Sequence, residues 1–309
     1  MPLNLSKQAI CRIYASGAIV LWSVAFPVAK ICLESFSPSV VSFIRFVFAS
    51  LFLLAFYRSK LGLPALRDLP KFIAAGILGF SLYMTVYNTG IRLVTSATGA
   101  IIIATTPIIT AIIALFLFRE EITPRGFFAI ALAFSGILTL SLWDSVFSIG
   151  IGILWLLFAA VLMAGYNISQ RMLTKTYPPF KCTSYSIFIG TILLLFVLPD
   201  TVAQIAAAPI SHTLWLAFLG VFSSAVAGLF WTKAISMANK TTDVTNFMFL
   251  LPLVVAISAF IISGEMVTMG TFLGGALIIS GLVLFSYSRS SSPDMPSPAH
   301  TSDEADPRT

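Results

Sequence analysis

The feature that most constrains this chain is a series of long segments without a charged residue. Nine stretches lack Asp, Glu, Lys and Arg: 13–29, 72–91, 93–118, 126–143, 145–170, 182–199, 201–232, 244–264 and 266–288. A tenth apolar stretch, 39–57, is interrupted once, by Arg45. A membrane-spanning helix needs about 20 mostly apolar residues. We therefore expect an all-α integral membrane protein with ten transmembrane helices.

The composition excludes a single water-soluble domain. Of the 309 residues, 58% are hydrophobic and only 10% are charged, whereas soluble domains carry about 25% charged residues. So few charges cannot cover a surface that faces water. The apolar runs are also unbroken rather than alternating every second residue, which favours helices over the strands of a membrane barrel.

The basic residues indicate the topology. With ten helices both termini lie on one side, and fifteen of the eighteen Lys and Arg residues fall in the loops and termini of that side. The opposite loops hold only Lys30 and Arg92. Because basic loops stay in the cytoplasm, we expect both termini to be cytoplasmic. The net charge of +6 is then a topology signal, and we expect no nucleic-acid partner.

The sequence contains an internal repeat. At a shift of 145 residues, 11 of the 34 positions in 107–140 are identical in the second half, among them Pro107 with Pro252 and Glu120 with Glu265. Five helices per half is an odd number, so the second copy enters the membrane in the opposite sense. Inverted repeats are an architecture of secondary transporters, with the substrate site between the halves near the midplane. The sequence therefore predicts two inverted five-helix repeats and transport by alternating access.

The two copies also carry a family resemblance. The segments Tyr87–Leu140 and Trp231–Phe285 resemble the two EamA repeats of the drug/metabolite transporter superfamily, and LWSVAFPVAK and SPSVVSFIRF in helices 1 and 2 fit the same pattern. The resemblance covers about 11–287. It implies ten helices with cytoplasmic termini in an inner (plasma) membrane, and export of small metabolites such as amino acids or drugs, with import in some members.

We divide the chain accordingly. Residues 1–12 form a cytoplasmic N-terminus, 13–142 the first repeat with helices 1–5, and 145–288 the second repeat with helices 6–10. The segment 289–309 is rich in Ser, Pro and acidic residues and is expected to be a disordered cytoplasmic tail.

Arg45 is the one strongly charged residue deep inside an apolar run. A charge at that depth costs about 2.5–3.5 kcal/mol on insertion scales, so it should face protein or water. One interpretation is an anion-binding group for a substrate carboxylate. The other is a structural arginine that caps helix-end carbonyls or pairs with Glu34 or Glu265. The resembled family commonly carries arginine here across many substrates, which favours the structural interpretation.

Aromatic and amide residues in the helix bodies are the best further candidates for the substrate path, because ligand sites are largely apolar with a few hydrogen-bonding groups. Interface anchoring and helix joining are the alternatives. With Arg45, the predicted substrate-binding set is Trp22, Phe26, Tyr83, Tyr87, Asn88, Tyr166, Asn167, Gln170, Trp231, Asn246 and Phe247.

Two further features allow two interpretations each. Glu120 and Glu265 are equivalent in the repeats and fall on opposite sides of the membrane, which makes them gate candidates or simply polar helix ends. Gly270-x-x-x-Gly274 in helix 10 is a close-packing pattern, typical of a homodimer seam or of contacts inside a bundle.

The absence of known catalytic and nucleotide-binding motifs argues against several classes of function. The chain has no Walker, HExxH or GxSxG sequence, three scattered cysteines and two histidines, so we expect no enzyme activity, metal or cofactor. The favoured function is a secondary transporter of a small metabolite, an amino acid or derivative first, with efflux favoured. An importer or broad drug exporter is the alternative, and a non-transporting membrane scaffold is the competing class. The expected partners are a small-molecule substrate and membrane lipid.

Overall fold

The computed structural model describes residues 6–118, 124–143, 147–238 and 244–290, and within these it is helical, with no strand. In the first half the helices are α1 (Lys7–Cys32), α2 (Pro38–Leu61), α3 (Leu69–Gly76), α4 (Leu82–Ile91), α5 (Ser96–Ile103), α6 (Thr106–Phe118) and α7 (Pro124–Trp143). In the second half they are α8 (Phe147–Leu173), α9 (Pro179–Leu193), α10 (Leu198–Ala207), α11 (Ile210–Phe218), α12 (Ala227–Met237), α13 (Leu251–Ser263) and α14 (Met269–Ser290).

Several of these helices are long and apolar enough to cross a membrane. Within the described ranges there are six, or seven if α9 and the segment after it, which are bent by 45°, are taken as one span. Three shorter apolar helices cover Ser96–Thr110, Pro124–Leu140 and Met269–Phe285. The protein is therefore a multi-pass membrane protein, and large hydrophobic side chains such as Phe128 and Phe196 lie exposed on its outside.

The boundaries of one apolar run differ from the sequence-based expectation. The run 201–232 is not one helix, because α10 ends at Ala207 and α11 begins at Ile210. Ala208 is extended and Pro209 occupies the N-cap of α11. A residue before proline is forced out of the helical region, so the chain turns here. The crossing helix is Ile210–Met237.

Each half contains a π-helical segment that continues an α-helix. The first, Ile77–Ser81, joins α3 to α4, and the second, Leu219–Val226, joins α11 to α12. Gly79 in the first faces the ring of Tyr166, and Gly220 in the second faces the backbone carbonyl of Arg45, each so closely that a Cβ would overlap its neighbour. Wide turns of this kind occur often at functional sites, and glycine here lets the helices approach.

Prolines mark corresponding interruptions in the two halves. Pro107 lies in the first turn of α6, and Pro252 lies in the first turn of α13. The first turn of a helix tolerates proline because its N–H group has no helical partner there. The long run 93–118 is accordingly divided into α5 and α6.

Helices α7 and α14 pack closely on each other. A Cβ on Gly136 would lie 2.6 Å from the carbonyl oxygen of Gly274, and one on Gly274 would lie 2.9 Å from that of Gly136. Gly274, the second glycine of the Gly270-x-x-x-Gly274 pattern, is therefore used for helix packing within one chain. A homodimer through this helix stays a prediction.

Candidate functional site

A cavity lies inside the bundle between helices of both halves. The space it encloses is about 60 Å³, which is below the range of about 300–1,000 Å³ for small-molecule sites, so a metabolite enters it only when the surrounding side chains or helices move apart. Its wall is mostly apolar and aromatic, with one charged residue and a few hydroxyl groups. The lining residues are Trp22, Ala25, Phe26, Arg45, Phe46, Gly79, Phe80, Tyr83, Met84, Tyr87, Ile103, Met163, Tyr166, Ser223, Ser224, Gly228, Met248 and Leu251.

Arg45 crosses from α2 to the second π-helical segment. Its side chain is buried, with 2% of its surface exposed. Nε donates to Oγ of Ser224 at 2.6 Å, and Nη2 donates to Oγ of Ser223 at 2.7 Å. Nη1 faces the sulfur of Met84 at 3.5 Å, and a thioether is a weak acceptor. The two hydroxyls hold the guanidinium group in a fixed orientation at the cavity wall.

The predicted carboxylate partners of Arg45 are not the observed ones. Glu265 pairs with Lys30 instead, and the ion pairs among the described residues do not join Arg45 to Glu34. The phenols of Tyr87 and Tyr83 and the thiol of Cys32 lie in the surroundings of the guanidinium group. Pairing with Glu34 or Glu265, one of the alternatives for a structural Arg45, is therefore not observed among the described residues, and neutral hydroxyls bond the guanidinium group instead.

A second set of contacts connects Arg45 to more distant helices. The indole N–H of Trp22 donates to the carbonyl oxygen of Ser223 at 3.0 Å. The ring centroids of Trp22 and Trp231 lie 4.9 Å apart, and the indole N–H of Trp231 donates to Oδ1 of Asn167 at 2.9 Å. These contacts join α1, the second π-helical segment, α12 and α8 into one continuous network beside the cavity.

The structure brings half of the predicted substrate-binding set to the cavity. The residues of that set that line it are Trp22, Phe26, Arg45, Tyr83, Tyr87 and Tyr166. Tyr83 and Tyr87 stack on α4 with ring centroids 6.0 Å apart.

The other predicted residues lie around the cavity but not on its wall. Asn88 donates to Oγ of Ser42, and Gln170 donates to Oγ of Ser186, so both amides join neighbouring helices. Asn167 and Trp231 are fully buried behind the wall. Asn246 and Phe247 are half-buried at the start of the 3-10 turn that leads into α13.

Sequence reasoning missed the residues that hold Arg45. Ser223 and Ser224 lie in the middle of the charge-free run 201–232, where a pair of adjacent hydroxyl residues was the only local signal. Met84, Met163 and Met248 were also missed, since a methionine in an apolar run has no pattern that separates a cavity wall from a core. Their positions depend on how distant helices meet.

Glu265 lies in a polar cluster at the end of the bundle where α1 finishes. Its carboxylate accepts from Nζ of Lys30 at 2.5 Å and from the backbone N–H of Ser96 at 2.7 Å. Partial burial by itself raises the pKa of Glu265, but the hydrogen bonds from Lys30 and Ser96 outweigh it and hold the pKa below its ordinary value. The carboxylate therefore ties α1 to the start of α5. The other gate candidate, Glu120, lies outside the described residues.

The opposite end of the bundle is joined by different contacts. Asp68, before α3, accepts from Lys71 at 2.7 Å and from the hydroxyl of Tyr177 at 2.8 Å. Arg171 at the end of α8 donates to the carbonyl oxygens of Ile235 and Ala238, both at 2.7 Å. Of these contacts, the hydrogen bond between Tyr177 and Asp68 joins the two halves, so polar contacts between the halves lie at both ends of the bundle.

A comparison with protein families identifies the chain. The model of the EamA-like transporter family matches it twice, at residues 9–142 and 150–287. This chain belongs to the EamA-like transporter family. The two matches span nearly all of the helical part, so the chain consists of two EamA repeats.

Individual relatives agree with that family. A probable terminal-alkyne amino-acid exporter of Streptantibioticus cattleyicolor is 29% identical over 268 residues, which cover 86% of this chain and 90% of the relative. The uncharacterized transporter YdfC of Bacillus subtilis is 27% identical, over 91% of this chain and 92% of its own length. The crystal structure of another protein, 17% identical, superposes with a TM-score of 0.62 over 92% of this chain and 99% of that chain. The EamA protein thus has the fold of a solved structure, and its sequence is similar to those of transporters.

Proposed function

We propose that this EamA protein is a secondary transporter that exports a small amphipathic metabolite, an amino acid or a derivative of one, across the inner membrane. The observation that carries the proposal is the cavity with Arg45 on its wall. A fixed guanidinium group beside apolar and aromatic side chains suits a ligand with a carboxylate at one end and an apolar body at the other. The exporter of Streptantibioticus cattleyicolor supports the amino-acid class.

The architecture we propose has ten transmembrane helices in two inverted five-helix repeats, with both termini in the cytoplasm. The separate matches of the EamA model to each half support the duplication. So do the two π-helical segments, since Gly79 and Gly220 occupy similar places 141 residues apart. Two similar halves in opposite orientations can exchange conformations, which is the basis of alternating access.

In this proposal the cluster around Glu265 is one of the two gates. Lys30 and Glu265 come from different repeats, and 25% and 20% of their side-chain surfaces are exposed. An ion pair of this kind is worth about 1 kcal/mol or less, so a conformational change can break it. The hydrogen bond between Tyr177 and Asp68, which also joins the two repeats, would act at the other end. Breaking one set while keeping the other opens the cavity to one side at a time.

Within the site, each group has a distinct part. Arg45 binds the carboxylate, and its serine partners keep the guanidinium oriented so that ordering it costs little when the ligand arrives. Tyr83 and Tyr87 offer phenol hydroxyls beside the same charge. The rings of Trp22 and Phe26 contact the apolar body of the ligand.

The test is counterflow in proteoliposomes with a labelled panel of amino acids, their derivatives and a few lipophilic cations. We expect saturable exchange of carboxylate-bearing compounds, and loss of that exchange in Arg45→Ala with folded, monodisperse protein retained. Exchange of lipophilic cations alone would favour a broad drug exporter. No exchange of any compound by folded protein would point to the scaffold alternative and overturn the proposal.

A further inference from the structure

The charge balance of the cavity restricts its ligand more narrowly than a general amino-acid site. Among the described residues that line the cavity, Arg45 is the one that carries a charge, and none is Asp or Glu. Its hydrogen-bond partners are two neutral hydroxyls and a thioether. A buried cation surrounded by neutral groups is matched by one negative charge from a ligand.

The guanidinium group keeps hydrogen-bond donors for that charge. Arginine has five N–H donors. The adjacent donors on Nε and Nη2 are taken by Ser224 and Ser223. The end formed by Nη1 and the second hydrogen of Nη2 has only the weak sulfur acceptor of Met84 among the described residues. That end offers two parallel donors, which is the arrangement that binds a carboxylate with both oxygens.

An α-amino acid places an ammonium group on the carbon next to its carboxylate. With the carboxylate on Arg45, the ammonium group lies beside a guanidinium of the same sign. The zwitterion has no net charge, so the positive charge of Arg45 stays unbalanced, and the described lining contains no acidic side chain that would balance it. Ser223 and Ser224 accept from Arg45, but as neutral hydroxyls they cannot balance a charge. A zwitterion therefore leaves a positive charge poorly compensated in a mostly apolar cavity.

We infer that the preferred ligand is an amphipathic monoanion without a free ammonium group, such as an N-acylated amino acid or a simple carboxylic acid with an apolar body. The anion neutralises Arg45, and acylation turns the ammonium into a neutral amide. The apolar body lies against rings and flexible side chains such as Phe46, Phe80, Met163 and Met248. This inference rests on the proposed transport function and names the charge class of its substrate.

The experiment uses four compounds that share one phenyl body and differ in charge: N-acetylphenylalanine, 3-phenylpropionate, phenylalanine and phenethylamine. Each competes with labelled N-acetylphenylalanine for counterflow in proteoliposomes of the full-length protein. Binding is measured separately by the fluorescence of Trp22, which lines the cavity, with Trp22→Phe identifying its share of the signal. We expect both anions to bind at least about tenfold more tightly than phenylalanine, and phenethylamine to bind least.

Two variants of Arg45 test whether the preference for anions depends on the charge of this residue. Arg45→Lys keeps the cation, so it should keep the order of the four compounds with weaker affinities. Arg45→Gln removes the cation, so the anions should lose their advantage over phenylalanine. Both variants are first checked for monodispersity and thermal stability in detergent.

The outcomes separate this inference from the proposed function. Equal or tighter binding of phenylalanine, with saturable exchange, would overturn the monoanion preference and leave the transporter intact. The same order of ligands in Arg45→Gln would overturn the part assigned to Arg45. No binding and no exchange of any of the four by folded protein would overturn the inference, and the panel of amino acids and lipophilic cations then decides whether transport itself stands.

Discussion

Nη2 of Arg45 lies 2.7 Å from Oγ of Ser223, although 178 residues separate them in the chain. Arg45 belongs to the first EamA repeat and Ser223 to the second. The only strong charge inside the apolar runs is therefore held by a side chain of the other half. A relative movement of the halves changes the surroundings of this guanidinium, which connects ligand binding to conformation.

The first prediction concerns the two serines. Ser223→Ala combined with Ser224→Ala removes both hydroxyl acceptors of Arg45. A hydrogen bond to a charged group contributes about 1.5–3 kcal/mol, and the guanidinium loses its fixed orientation. We expect a clearly lower thermal midpoint in detergent and a higher KM for carboxylate substrates. Ser236→Ala is the control, since the hydrogen bond of Ser236 within the described ranges is to the carbonyl oxygen of Lys233 in its own helix; an equal effect there would contradict the assigned role.

The second prediction concerns the close approach of Gly220 to α2. A Cβ at this position would overlap the backbone carbonyl oxygen of Arg45, which cannot move aside as a side chain can. Gly220→Ala should destabilise the protein by about 1–3 kcal/mol, as overpacking typically does, and displace Arg45. Thermal unfolding and counterflow measure the two effects. Gly17→Ala is the matched control, because its nearest neighbour at 3.0 Å is the ring of Phe230; a loss as large as that of Gly220→Ala would argue against backbone overlap.

From the sequence, Arg45 itself could be predicted as a site residue, but the residues that surround it could not. Arg45 is recognisable because a charge inside an apolar run costs free energy unless it faces the protein interior or water. The partners of Arg45 are not recognisable in the sequence, since serines such as Ser223 are common in membrane helices. They become its hydrogen-bond acceptors only because α2 packs against the second π-helical segment. The choice of neutral hydroxyls over Glu265 depends on three-dimensional distances that a linear pattern does not contain.

The same reasoning applies to the helices. Charge-free runs predicted where the chain is apolar, but a run of 32 residues such as 201–232 does not say where it turns. Pro209 was the local signal for that turn. Glu265 was predicted as a gate residue from the repeat alone, and its partner Lys30 lies 235 positions away, so the ion pair could not be read from spacing.

The third prediction concerns Trp231 and Asn167. Trp231→Phe removes the indole N–H and leaves Oδ1 of Asn167 buried without this donor. Nδ2 of the same amide already has no hydrogen-bond partner among the described residues. An unsatisfied buried polar group costs about 1–3 kcal/mol, so the single variant should be destabilised by that amount. Asn167→Leu together with Trp231→Phe should recover part of the loss, and simple additivity of the two single variants would contradict the contact.

The last prediction is a pH dependence at the end of the bundle that holds Glu265. Hydrogen bonds from Lys30 and Ser96 hold the pKa of Glu265 in the folded protein below its ordinary value, against the opposing effect of burial. A lowered pKa means that the folded state binds the proton less readily than the unfolded state. The stabilisation is therefore fully present above the ordinary value near 4.5 and is lost as the pH falls through the folded pKa.

Comparison with Glu265→Gln isolates this contribution. At pH 7 the variant should be less stable than the natural protein by about 1 kcal/mol, because the ion pair with Lys30 is partly exposed to solvent. The difference should shrink as the pH is lowered below 4.5, where the natural carboxylate takes up a proton and resembles the amide. Thermal unfolding of both proteins across this range measures it. A difference that stays constant with pH would mean that Glu265 contributes through its shape and not through its charge.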